Sequence, residues 1–234
     1  MSRIILTGAT GMTGGETLRQ LLAHPAVEKV TVLTRRPLTD PAVNTSPKLV
    51  TVIHNDFTEY NSIVGKLQGH DALIWCLGGK PSPDQSESDF IRINHDFPVN
   101  AAKALSHLSP TFRFCHVSGM SVTQNEDAVF PWQKITRNIK GRSERHLNDI
   151  HAAQPTFETY HLHPAGIIPP KATETWTAFA VTAAIAPFIV VKVEDLAEAL
   201  IYCALNGWEV PKDRVIGNGV IKTIAAKERV AASS

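Results

Sequence analysis

The stretch Arg3-Ile4-Ile5-Leu6-Thr7-Gly8-Ala9-Thr10-Gly11-Met12-Thr13-Gly14 decides the fold. Its first half is a short apolar run that stops at a glycine, as a buried strand does. Its second half spaces glycines at 8, 11 and 14, and Leu18, Leu21 and Leu22 then recur at helical spacing until Pro25 stops the run. Strand, glycine turn and helix, in that order, let main-chain amides cradle a phosphate. The first glycine permits the tight turn, the second lets backbone approach a pyrophosphate, and the third lets helix pack on strand. The helix amino end adds free N–H groups and a partial positive charge. Gly8, Thr10, Gly11, Met12 and Thr13 are therefore the phosphate-binding candidates.

Outward from this stretch the chain alternates. Apolar runs at 29–36, 49–56, 70–79, 112–121, 157–167 and 215–224 read as strands. Helical patterns cover about 13–24, 62–67, 90–108, 132–151 and 191–207, with Pro98 starting or kinking the third. Such alternation calls for an α/β fold, a Rossmann-type doubly wound parallel sheet covered by helices on both faces. Its ligands lie beyond the carboxyl ends of the strands, at the switch point. Residues 1–234 are expected to form a single dinucleotide-binding domain, with a small carboxyl-terminal substrate lobe from about 164–190. Within that lobe Trp176–Val191 is uncharged; its 16 residues, interrupted by Pro187, fall short of the roughly 20 that span a membrane. A buried helix followed by a strand, or the wall of an apolar pocket, accounts for it.

Composition removes other classes. Twenty-three Lys and Arg against 22 Asp and Glu leave a charge of +1, which does not make a nucleic-acid platform. A hydrophobic share of 43% excludes a disordered chain. The three cysteines, Cys76, Cys115 and Cys203, sit in apolar runs and read as buried thiols of a reducing compartment. With no apolar targeting segment at residues 1–7, a cytoplasmic protein is expected.

The end of the second strand selects the dinucleotide. An acid roughly 20 residues past the glycine loop would bond a ribose 2′-hydroxyl. This chain has Arg35 and Arg36 instead, Arg35 lying 35 − 14 = 21 residues past Gly14. Paired guanidiniums suit a 2′-phosphate, so NADP(H) is the expected cofactor.

With Thr7–Gly14, the Arg35-Arg36 pair, Asn55-Asp56-Phe57, Cys76-Leu77-Gly78-Gly79 and Ser118-Gly119-Met120-Ser121 in order, the chain resembles the short-chain dehydrogenase/reductase superfamily, nearest its atypical Tat-interacting-protein-like and NmrA-like members. The resemblance implies that Asp56 and Phe57 meet the adenine and that Leu77, Gly78 and Gly79 lie along the adenosine ribose. It places His163-Pro164-Ala165-Gly166-Ile167 near the nicotinamide, with Ala165 and Ile167 as contacts and His163 where the family carries Arg.

The family's reaction uses a serine at the fifth strand end and a Tyr-x-x-x-Lys pair on one face of the next helix. Ser118 matches the serine, with Ser121 a second candidate, and Lys140 matches the lysine. Position 136 holds Thr, and no Tyr occurs between Tyr60 and Tyr160. A positioned general acid contributes roughly 10²–10⁴ in rate, and a threonine hydroxyl is no substitute for a phenol. The leading reading is an NADP(H)-dependent oxidoreductase for a small-to-medium apolar carbonyl or enone, with Ser118, Lys140, Thr136 and His163 at the site. The alternatives are a redox-neutral cyclase or isomerase and a non-catalytic NADP(H) sensor.

Other constellations carry less. His161 and His163 alternate on a strand like two metal ligands, but no third ligand accompanies them, so no metal is expected. His116 shares the Ser118 face and reads as a core histidine. Gly-x-Ser-x-Gly is absent around Ser118, against a hydrolase. The basic run 137–146, interrupted by Glu144, reads as a solvated helix face. The expected partner is a small-molecule substrate, with no nucleic acid and no membrane, and a homodimer by analogy with relatives.

Overall fold

The computed structural model describes residues 1–79, 82–120, 122–125, 134–169 and 190–231, with the backbone alone at 134–136 and 231. Strand β1 (Ser2–Thr7) lies mid-sheet, so both its faces need apolar cover, and Ile4, Ile5 and Leu6 supply it. Around it β2 (Val27–Thr34), β3 (Leu49–Ile53), β4 (Ala72–Trp75), β5 (Phe112–Val117), β6 (Phe157–His163) and β9 (Val215–Gly217) complete a seven-stranded sheet of order β3-β2-β1-β4-β5-β6-β9. Every neighbouring pair is parallel. The order reverses between β1 and β4, which makes their carboxyl ends the switch point.

Helix α1 (Met12–Ala23) places Leu18 and Leu21 on one face of the sheet, against Ile4 and Leu6. The same layer holds α7 (Val193–Asn206) through Leu196 and Leu200, and α8 (Asn218–Ala231) through Ile221 and Ile224. The opposite face is aromatic: Trp75, Phe112, Phe114 and Phe157 pack under α3 (Asn61–Val64), α5 (Phe97–Leu105) and α6 (Lys134–Ala153). Two short helices, α2 (Pro41–Asn44) and α4 (Glu87–Ile91), lie in the connections.

Three boundaries differ from expectation. The run 215–224 is strand only to Gly217 and then turns into α8, because Ile221, Ile224, Ala225 and Glu228 are buried at helical, not alternating, spacing. The sixth strand stops at His163, where Pro164 follows; Gly166–Ile168 forms β7, paired with β8 (Val190–Lys192) in a separate two-stranded sheet. Those strands flank residues 170–189, so most of the expected lobe and of Trp176–Val191 lies outside the described residues. Finally, α4 runs into a π-helical turn over Arg92–Asp96 before α5 begins, with Pro98 in its first turn. Proline has no N–H for an i−4 bond, and the wider turn changes register where that bond is missing.

Candidate functional site

Gly8 has the left-handed φ of +72°, and a Cβ there would strike the carbonyl of Cys76 across the switch point. A Cβ at Gly14 would run into the Gly8 carbonyl, so this glycine spacing is what lets α1 start directly behind its strand. Gly11 caps α1 with no side-chain hydrogen bond, and no acid occupies the first turn. The uncapped amino end, with Thr10, Met12 and Thr13 around it, fits a dinucleotide pyrophosphate.

Arg35 and Arg36 follow the end of β2 and are exposed. Asp56, past the end of β3, is also exposed. The hydroxyl and amide of Thr58 donate to its Oδ1 at 2.5 and 2.9 Å, holding the carboxyl below the usual range. Phe57 departs from expectation: it is 2% exposed, its ring 4.9 Å from His54 and edge-on to Trp75 at 6.0 Å. The aromatic core therefore takes the ring, which is not free to stack on adenine.

Past the ends of β4, β5 and β6 opens a cleft of about 420 Å³. Thr13, Leu77, Gly78 and Gly79 border it toward α1, and Ser118, Lys140, Ala165 and Ile167 toward α6 and β6. Eight of the sequence candidates thus converge. A larger hollow of about 730 Å³, between Arg145, Asp149 and Asp213, lies beside the start of β9, away from the carboxyl ends of the strands. The β4 loop is fixed by a residue that sequence reasoning missed. Asn94, inside the π-helical turn, accepts from the Gly79 amide at 3.2 Å and donates to the Phe90 carbonyl at 3.0 Å. Its signal was Pro98, four residues on.

At the other end, Ser118 donates to Glu144 Oε1 at 2.5 Å, and His163 Nε2 meets the same oxygen at 2.7 Å. The amide of Gln124 donates to Glu144 Oε2 at 3.0 Å. Glu144 is fully buried. Burial works to raise its pKa, but the His163 hydrogen bond, the two neighbouring histidines and Ser118 outweigh it and hold the carboxyl at about 2. Lys140 lies one turn earlier on α6 and borders the cleft. Burial lowers its pKa and Glu144 opposes that shift.

Glu144 is the second residue missed, and the solvated reading of 137–146 is corrected: Arg137, Ser143 and Glu144 are all buried. The signal was spacing, since a residue four past Lys140 shares its helix face. Gly141 on that face makes the packing possible, for a Cβ there would strike the Thr123 carbonyl and lift Gln124 away.

His163 is corrected too. It does not border the cleft; it lies behind Glu144, 7% exposed. His116 is buried as expected, edge-on to His161 at 5.8 Å, and burial pushes it down to about 3. Burial likewise takes His161 to about 4, its Nε2 bonded to Asn148 at 2.9 Å. Thr136 lies one turn before Lys140 on α6, but its side chain and the whole of Ser121 are outside the described residues. The order serine, carboxylate, imidazole is not that of a hydrolase, in which the imidazole lies next to the hydroxyl and the carboxylate behind it.

A family described as NAD(P)H-binding matches residues 8–206. The fungal protein fmp52, mitochondrial, of Emericella nidulans is 31% identical over 107 residues, 44% of this chain and 45% of that one. Protein HTATIP2 of Rattus norvegicus is 29% identical over 102 residues, 43% of this chain and 40% of that one. These matches span less than half the length of either relative. Among solved structures, a short-chain dehydrogenase from Burkholderia cenocepacia in complex with NADP superposes with a TM-score of 0.66 at 17% identity, over 98% of this chain and 93% of that one.

The cytoplasmic expectation does not stand. Several fungal relatives are named mitochondrial. Unpaired thiols report a redox state rather than a compartment. No helix among the described residues is long and apolar enough to cross a membrane. The glycine cradle, the switch-point cleft and the match over residues 8–206 agree, and the chain belongs to the NAD(P)H-binding family, on a Rossmann-type fold that it shares with solved short-chain dehydrogenases.

Proposed function

We propose that the protein is an NADP(H)-dependent oxidoreductase acting on a small-to-medium apolar carbonyl or enone. The observation that carries this reading is a single cleft running from the amino end of α1 to Ser118 and Lys140. When bound, the dihydronicotinamide supplies a hydride to the substrate carbon. The chain's own residues do the rest. The α1 amino end and Thr13 hold the pyrophosphate, and Arg35 and Arg36 favour a 2′-phosphate over a free hydroxyl. The Lys140 ammonium suits a ribose hydroxyl. Ser118 orients the substrate oxygen at the cleft floor. Met120, 53% exposed at the cleft, and Val122 and Ile167 beside it, offer the reacting end an apolar wall that excludes water.

Calorimetry with NADPH and NADH, followed by a panel of apolar aldehydes, ketones and enones, tests the reading. Tight NADPH binding and consumption of the dihydronicotinamide with at least one substrate is the expected result. Absence of NADPH binding overturns it.

A further inference from the structure

The family's phenol is missing from α6, yet the cleft retains a serine whose proton points away from the substrate, into a buried carboxylate. We propose that Ser118, Glu144 and His163 form a proton relay in place of that phenol: the hydroxyl gives its proton to the substrate oxygen and is refilled from the imidazole through the carboxylate. The inference rests on the oxidoreductase reading above.

Geometry supports it at each link. Serine and imidazole meet the same carboxylate oxygen, at 2.5 and 2.7 Å, so a proton leaving one side is replaced at the same atom from the other. The second oxygen is held by Gln124, whose amide also donates to the Asp213 carbonyl at 2.8 Å, and the carboxylate cannot swing away. Ser118 borders the cleft while His163 does not, so the chain has one end at the substrate and one behind it. Glu144 stays ionised and passes protons without storing them. The other histidines on this face, His116 and His161, are kept neutral by burial, and neither bonds Glu144 among the described contacts.

The step balances. A hydride from a dihydronicotinamide brings its electron pair to the carbonyl carbon, and the C=O π pair becomes a lone pair on oxygen. That oxygen takes the Ser118 proton. Ser118 takes one from Glu144 Oε1, which has accepted the proton of the His163 imidazolium. Neutral imidazole remains and regains a proton from water. A lone serine would be left as an alkoxide, too high in energy to form; simultaneous refilling removes that barrier.

The test uses the full chain with NADPH and two probe carbonyls, para-nitrobenzaldehyde and phenanthrenequinone. Glu144→Gln keeps size and shape but passes no proton, and it should lower kcat by roughly 10²–10⁴ while NADPH affinity changes less than about threefold. His163→Gln should do the same, and the double variant should lose no more than either single, as expected of groups acting as one unit. A readout independent of turnover is the imidazole proton itself. In cofactor-free wild type, His163 Nε2–H should give a protected downfield proton resonance, absent in His163→Gln and moved upfield in Glu144→Gln. A folded Glu144→Gln with wild-type kcat, additive losses in the double variant, or no such resonance overturns the relay alone. A wild type that binds no NADPH or reduces neither probe overturns the oxidoreductase reading, and the relay with it.

Discussion

Two exposed guanidiniums follow β2 where a reader of the ribose 2′-hydroxyl would carry an acid. Hydrogen bonds to a charged group contribute about 1.5–3 kcal/mol, or roughly 10–100-fold in affinity. Arg35→Asp should therefore weaken NADPH binding by about that factor while NADH changes less than about threefold. Paired titrations by calorimetry check this; equal losses for the two dinucleotides count against the assignment. At this scale the sequence was legible where chemistry dictates residue type. Ser118 and Lys140 could be placed by their match to the short-chain dehydrogenase/reductase pattern, and both border the cleft. Glu144 could not, because a glutamate in a basic helix is solvated in most contexts, and only the strands that α6 covers decide otherwise. Phe57 failed for the same reason: whether a phenyl ring stacks on a ligand or on Trp75 is settled by neighbours distant in sequence.

The glycine cradle is the element most fully written into the chain, since backbone that approaches backbone leaves no choice of residue. Gly14→Ala drives a methyl into the Gly8 carbonyl and must pry α1 off β1. Overpacking of this kind costs about 1–3 kcal/mol. We expect a lower urea midpoint together with a loss of NADPH affinity, read by denaturation and titration of one preparation; a variant with both unchanged would mean the helix does not start where it is drawn. The π-helical turn makes a complementary prediction. Asn94→Ala leaves the Gly79 amide without its acceptor and frees the β4 loop, at about 1 kcal/mol. NADPH affinity should fall about fivefold with the fold retained, and an unaltered affinity would detach that loop from the cofactor cleft. The helix α8 was illegible because Val215-Ile216 and Val220-Ile221 suit strands as readily as a buried helix face.

Across the whole molecule, burial of histidine sets the response to acid. His116 and His161 have ordinary values of 6.5 when unfolded and about 3 and 4 when folded, so below 6.5 the unfolded chain binds more protons. Stability is complete above pH 6.5 and declines as pH falls toward 4 and then 3. Glu144 adds a second loss between 4.5 and about 2. By about pH 5 each histidine should have withdrawn roughly 2 kcal/mol. Urea midpoints at neutral pH and at about pH 5 measure the loss, and a flat profile would show that the two rings are not held neutral.

One link reaches across nearly the whole sequence: His24 Nε2, at the end of α1, lies 2.6 Å from Glu228 Oε1 in α8. Leu18 and Leu21 of α1 share their apolar cluster with α7 and α8, both made some 170 residues or more later (193 − 23 = 170). During synthesis, then, α1 waits for its helical partners while five further strands of the large sheet, β2 to β6, are produced. The side of that cluster left open until α7 and α8 arrive is the apolar surface that a ribosome-associated chaperone would have to shield in that interval.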